Sequence, residues 1–243
     1  MGTFSGHAIP AIFFYTFGIR WTYVTLSKYL SSSKTPNYTE VNRSEAWVKL
    51  LCCVIGIMGE FTQKYVGDNN IHHILMYSAF ALNAAVELMI VKEEEKTQSI
   101  ILSSTAKGGQ VIPEEAVSVS LLFALFVEGF TMTTHTHGRN EIDTVVHSMQ
   151  TLLVVINMVA IVVVMHRPHH MLSHLFRSFC FLTQGSWLMN NAFVLYNPFP
   201  GSTAWNGEDH VQRMNISSLF VCHLLANVAV LFCIGQCVAR KNR

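Results

Sequence analysis

The chain of 243 residues is 51% hydrophobic and only 13% charged, with a mean hydropathy of +0.34 and a net charge of +1. Soluble domains carry roughly 25% charged residues, so this composition excludes a disordered chain, a basic nucleic-acid binder and an ordinary cytosolic enzyme. Histidine is the unusual polar residue, at twelve copies.

A helix needs ~20 mostly apolar residues to cross a hydrocarbon core of about 30 Å. Seven stretches meet that length: His7–Tyr29, Trp47–Val66, His72–Val91, Pro113–Thr134, Val145–Met165, Leu175–Tyr196 and Met214–Val238. Backbone groups in lipid must be bonded within their own segment, and the alternation of barrel strands is absent, so these are helices. The expectation is an all-α fold, a seven-helix transmembrane bundle forming one domain over residues 1–243. The first span lacks a basic leader and carries Arg20, so it is expected to stay in place rather than act as a cleaved signal peptide.

The lysines and arginines orient the bundle. With the N-terminus outside or lumenal, Lys64, Arg139 and Arg213 fall at the outer side; apart from Arg20 within the first span, the others fall at the cytosolic side. That skew fits the positive-inside rule and puts the C-terminus in the cytosol. Two glycosylation sequons, at Asn37 and Asn42, lie in a loop that this orientation makes cytosolic; short sequons recur by chance, and the charges decide. The six cysteines all lie within spans, which predicts free thiols. Cys233 and Cys237, near the inner rim, are candidates for palmitoylation.

Depth can be read once the spans are set. Glu60 and Glu128 each lie six residues below the outer end of their spans, ~9 Å into the membrane, and His223 lies at roughly 10–13 Å. His7, His73, His135 and His147 occupy outer helix ends. On the fourth helix, His135 falls seven residues after Glu128, which returns it to nearly the same face. Carboxylates at one depth repel each other unless protonated or bridged by a cation, and a divalent metal would keep carboxylates ionised and imidazoles neutral. Mixed imidazole and carboxylate donors suit zinc, iron or manganese better than calcium. The plain alternative for each residue is hydrogen bonding between helices. Arg20 is expected to pair with Glu87 near the inner end of the third helix. His166, His169, His170 and His174 are expected to form a solvated cytosolic turn around Pro168.

Several motifs resemble the transmembrane protein 45 family: Gly6-His7-Ala8-Ile9-Pro10 with Phe13-Phe14, Glu128-Gly129-Phe130, His135-x-His137-x-Arg139, Asp143 with His147-Ser148, and Gln184-Gly185 with Trp187. The resemblance covers nearly the whole chain. It implies a multi-pass protein of Golgi and endosomal or lysosomal membranes and brings no settled reaction.

The leading expectation is a membrane-embedded site for a divalent metal, zinc favoured, opening toward the outer side. Its ligands would be His7, Glu60, His73, Glu128, His135, His147 and His223, with Tyr77, Asp143, Gln184 and Trp187 as supporting or substrate contacts. As an enzyme it would be a metal-dependent hydrolase of a lipid-like substrate, with Glu128 and Glu60 as catalytic residues and a metal-bound water as nucleophile. The alternatives are a proton or metal-ion transporter or relay, and a trafficking or scaffold protein without chemistry. The expected partners are membrane lipids and further copies of the chain in a homo-oligomer, with no nucleic acid.

Overall fold

A computed structural model describes residues 3–31, 36–38, 41–62, 69–102, 112–134, 140–199, 201 and 205–242, with the backbone alone for residues 62, 69–70 and 99–102. Among the described residues the chain is all helical, without a strand. The helices are α1 (Phe4–Ser31), α2 (Arg43–Thr62), α3 (Asn69–Leu102), α4 (Glu115–Thr134), α5 (Glu141–His166), α6 (Met171–Tyr196) and α7 (His210–Lys241). Each expected span lies on one of these seven. The expected end of the second, Val66, lies outside the described residues.

Among the described residues, four helices are long and apolar enough to cross a membrane: Ile71–Gln98 within α3, then α4, α5 and α7. Their surfaces show why. Leu225 and Phe232 on α7 are 67% and 71% exposed, and Phe130 on α4 is 61% exposed. Water would penalise such side chains, whereas acyl chains accept them. α6 has the opposite character. Fourteen of its 26 residues are buried, among them Ser173, His174, Ser178, Thr183, Gln184 and Asn191. A helix surrounded by its neighbours can carry polar residues that a lipid-facing helix cannot, provided each finds a partner.

Helix starts follow local chemistry. Asn140 caps α5 by accepting from the Asp143 amide at 2.8 Å, and Asp209 caps α7 by accepting from the Val211 amide at 2.8 Å. Both satisfy donors that the first turn leaves open. Arg240 and Lys241 close the last turn of α7, where cations suit the helix dipole.

The chain forms two compact units. One holds residues 1–38 and 128–243, the other residues 39–127. In the first, α6 packs against α1, α5 and α7. α1 and α6 approach at two glycines. A Cβ at Gly185 would sit 2.5 Å from the Tyr15 backbone nitrogen and 2.8 Å from the Ala11 carbonyl oxygen. One at Gly18 would sit 2.8 Å from the Leu182 backbone nitrogen. Only glycine permits that contact, as at other close crossings of membrane helices. On the far side of α6, Trp187 joins Ile142, Val146 and Leu153 of α5 and Ile216 of α7 in an apolar cluster.

In the second unit α2 packs on α3. Lys49 Nζ donates to Glu87 Oε1 at 2.7 Å and lies 3.3 Å from Glu45 Oε1 one turn back on α2, with both Lys49 and Glu87 buried. Glu87, expected beside Arg20, thus has Lys49 of the adjoining helix as a partner.

Two stability outcomes follow from these contacts. Gly185→Ala forces the α1 and α6 backbones apart and costs roughly 1–3 kcal/mol, as overpacking does. Gly59→Ala, where a Cβ meets nothing within 4 Å, is neutral or gains up to about 1 kcal/mol in helix propensity. Thermal unfolding in detergent compares the two. Lys49→Met takes a cation from the buried Glu87 and costs up to about 3–5 kcal/mol, much of it recovered by adding Glu87→Leu; a double-mutant cycle in the same assay measures the recovery.

Candidate functional site

A cluster of buried polar residues in the first unit lies where the C-terminal half of α4 and the facing sides of α5 and α6 meet. Glu128, 3% exposed, accepts from Gln184 Nε2 at 2.8 Å on Oε1 and 3.0 Å on Oε2. Gln184 in turn accepts from Asn157 Nδ2 with its own Oε1. Gln150 also lies against Glu128. Gln150, Asn157, Gln184 and Asn191 are fully buried. Among the described residues, the side chain hydrogen-bonded to the Glu128 carboxylate is the Gln184 amide, with Gln150 nearby but not bonded, and no ion pair reaches it.

α5 supplies this arrangement by its periodicity. Asp143, His147, Gln150 and Asn157 fall within roughly 80° of arc at ~100° per residue, a polar stripe on an otherwise apolar helix. Nearer the start of α5, the buried His147 donates from Nδ1 to the Asp143 carbonyl at 2.8 Å, and the same nitrogen lies 2.7 Å from Asp143 Oδ1. The bond fixes the imidazole tautomer and leaves Nε2 as the acceptor nitrogen. The His147 ring stands edge-on to His7 with centroids 5.7 Å apart, and His7 in turn lies 5.1 Å from Tyr196. His7 Nδ1 donates to the Thr3 carbonyl at 3.1 Å. His223, half-buried on α7, meets Trp187 at 5.7 Å, while the indole of Trp187 donates to the Val146 carbonyl at 3.1 Å.

The second unit holds a separate pair. Glu60 is buried and accepts from His73 Nδ1 at 3.1 Å, joining the ends of α2 and α3. Tyr77, one turn further along α3, packs over Gly56 and lies within electrostatic reach of Glu60.

Glu60 and His73 belong to one unit; His7, Glu128, His147 and His223 belong to the other. Within the latter, Glu128 engages Gln184, His223 engages Trp187, and His147 engages Asp143. Among the described residues, no group of three or more His, Cys, Asp or Glu side chains is placed to hold a metal ion. In the first unit the face that each helix turns gives Glu128, His147 and His223 different neighbours. His135, with His137 and Arg139, lies outside the described residues. Of the supporting residues, Gln184 is the one bonded to Glu128, and Asp143 holds His147. The rim histidines also differ from expectation in one place. His166, His169 and His170 are exposed, but His174 is fully buried, donates from Nε2 to the Pro168 carbonyl at 2.7 Å and packs on Tyr38 at 5.0 Å.

Four amides, Gln150, Asn157, Asn191 and Asn227, were not among the residues singled out. Asn227 ties α7 to α6 by donating to Ser186 Oγ at 2.8 Å. The signal for the α5 pair was legible as the spacing of the polar stripe. No comparable sequence signal marks Asn191.

Comparison with known proteins places the chain more firmly than its motifs do. Residues 114–235, half of the chain, match a family described as a family of unknown function, DUF716. Transmembrane epididymal protein 1 of Rattus norvegicus is 24% identical over 254 residues, covering 93% of this chain and 78% of the relative. Transmembrane epididymal protein 1A of Mus musculus is 22% identical with the same coverage. Transmembrane epididymal protein 1 of Homo sapiens is 23% identical over 162 residues, covering 65% of this chain and 52% of the relative. These matches correct the resemblance to the transmembrane protein 45 family, and the Golgi and endosomal expectation rested on that resemblance alone. All three relatives are named as transmembrane proteins, in agreement with the four membrane-length helices. The chain is an integral membrane protein and belongs to the DUF716 family.

Proposed function

We propose that this multi-pass protein is a proton relay, in which Glu128 takes up and releases the proton. The observation that carries the reading is the amide clamp on Glu128. A lysine or arginine in contact would pin the carboxylate in its ionised form, whereas an amide accommodates the acid and the carboxylate alike. A buried acid free to hold either state is the element that intramembrane proton pathways use. His147 and Asp143, on the same face of α5, supply titratable groups between Glu128 and the end of the unit. With the N-terminus on the non-cytosolic side, as the distribution of basic residues favours, that end faces outward or into a lumen.

The zinc-hydrolase expectation gains less support. Its donors engage other partners in pairs, and Glu128 spends both oxygens on Gln184.

In liposomes loaded with a pH-sensitive dye, the purified protein is expected to dissipate an imposed pH gradient. Glu128→Gln should reduce the rate to that of protein-free vesicles, whereas Arg43→Gln, which removes an exposed ion pair with Glu95, should leave it unchanged. Equal rates for wild type and Glu128→Gln overturn the reading. Elemental analysis of the same preparations separates it from the metal site: one zinc per chain, lost in Glu128→Gln, would restore the hydrolase expectation in its place.

A further inference from the structure

Buried amides are ordinarily fully hydrogen-bonded, and an unmet polar atom shielded from solvent costs about 1–3 kcal/mol. Three fully buried side chains between α5 and α6 break this rule together. Among the described residues, Gln150 has both its oxygen and its nitrogen unmet, Asn191 has both unmet, and Asn157 has its oxygen unmet. They are spread along the helices. Asn191 lies five residues from the end of α6, ~7 Å in; Gln150 lies nine residues from the start of α5, ~13 Å in; Asn157 lies ~24 Å in.

The chemistry of the five atoms identifies what would satisfy them. Two are donors and three are acceptors, and turning an amide of Gln150 or Asn191 over exchanges its two atoms without changing that balance. A metal ion meets acceptors alone, and an anion meets donors alone. Water meets both, and buried waters characteristically make two to four bonds to polar groups left open in this way. Lipid cannot supply these bonds.

We propose that the α5–α6 seam is a water-binding site, holding ordered waters at three levels from the His147–Asp143 pair past Glu128 to Asn157. The waters bridge Gln150 and Asn191 to their neighbours and give Glu128 contact with solvent-derived protons, which side-chain amides cannot relay efficiently by themselves. The functional part of this inference rests on the proton reading above; the presence of water does not.

Radiolytic hydroxyl labelling of the protein in nanodiscs tests it, because bound water becomes the local source of radical when the sample is irradiated. Trp187 and His147, 0% and 2% exposed, flank the seam, while Phe181, 2% exposed, packs instead against Phe14 and Trp21. Trp187 and His147 are expected to label several-fold faster relative to their free amino acids than Phe181 does. Their oxygen should exchange slowly when the bulk is switched to heavy-oxygen water. Gln150→Leu with Asn191→Leu should suppress that labelling. Since this double variant can fail to fold, the comparison within the wild-type chain is decisive by itself. Labelling of Trp187 and His147 at the level of Phe181 overturns the inference, whatever the flux assay shows. Fast labelling without proton flux upholds the hydrated seam and removes the proton reading alone.

Discussion

The rotation of α6 about its own axis is the constraint on which the candidate site depends. Gly185 brings the backbone of α6 against Ala11 and Tyr15 of α1, and Gly18 does the same from the α1 side against Leu182. Two backbone contacts of this kind leave α6 little freedom to turn. Gln184, the residue before Gly185, is thereby directed away from α1 toward α4 and α5, where it meets Glu128 and Asn157. Trp187 occupies the next sector and closes the apolar cluster with α5 and α7. The packing of small residues on one face of α6 therefore determines which polar residues meet on another.

The two units handle buried charge in different ways. Between α2 and α3, Lys49 and Glu87 neutralise each other, an arrangement that holds two helices in register and tolerates little change of protonation. Around Glu128 the partners are amides. A neutral clamp contributes less Coulomb energy, but it does not tie the acid to one charge state. Structural need alone would be met better by an ion pair or by apolar packing, so an acid held only by amides at this depth calls for a functional explanation.

Much of the architecture was readable from hydropathy, because lipid imposes length and apolarity on a helix directly. The seven helices stand where the apolar runs stand, with ends extended by polar caps such as Asn140 and Asp209 that hydropathy does not register. Burial was readable as well: Glu128 is buried, as an acid within an apolar span is expected to be. Rotation was not readable. The partner that Lys49 makes for Glu87 was not read from the spans. In the first unit His147 lies on Asp143 and His223 on Trp187. His174 is buried under Tyr38 because a loop residue far away in sequence covers it, which no local pattern encodes. Amides escaped notice because a search for chemistry favours ionisable groups, although in hydrocarbon an unsatisfied amide is nearly as informative as a charge.

Membership in a family of unknown function leaves the chemistry to be argued from the residues. There, the decisive contrast lies between donors that meet one another and donors that meet something else. A metal centre requires its imidazoles to turn free nitrogens toward a common point. His7 and His147 each donate Nδ1 to a backbone carbonyl, of Thr3 just before α1 and of Asp143 within α5, while Glu128 accepts from one amide on both oxygens. A proton pathway has no need of convergence. It requires titratable groups in series, each able to change state where it stands, with polar matter between them. Asp143, His147 and Glu128 provide the series, and Gln150 and Asn191, with their unmet donors and acceptors, provide the places where water can complete it.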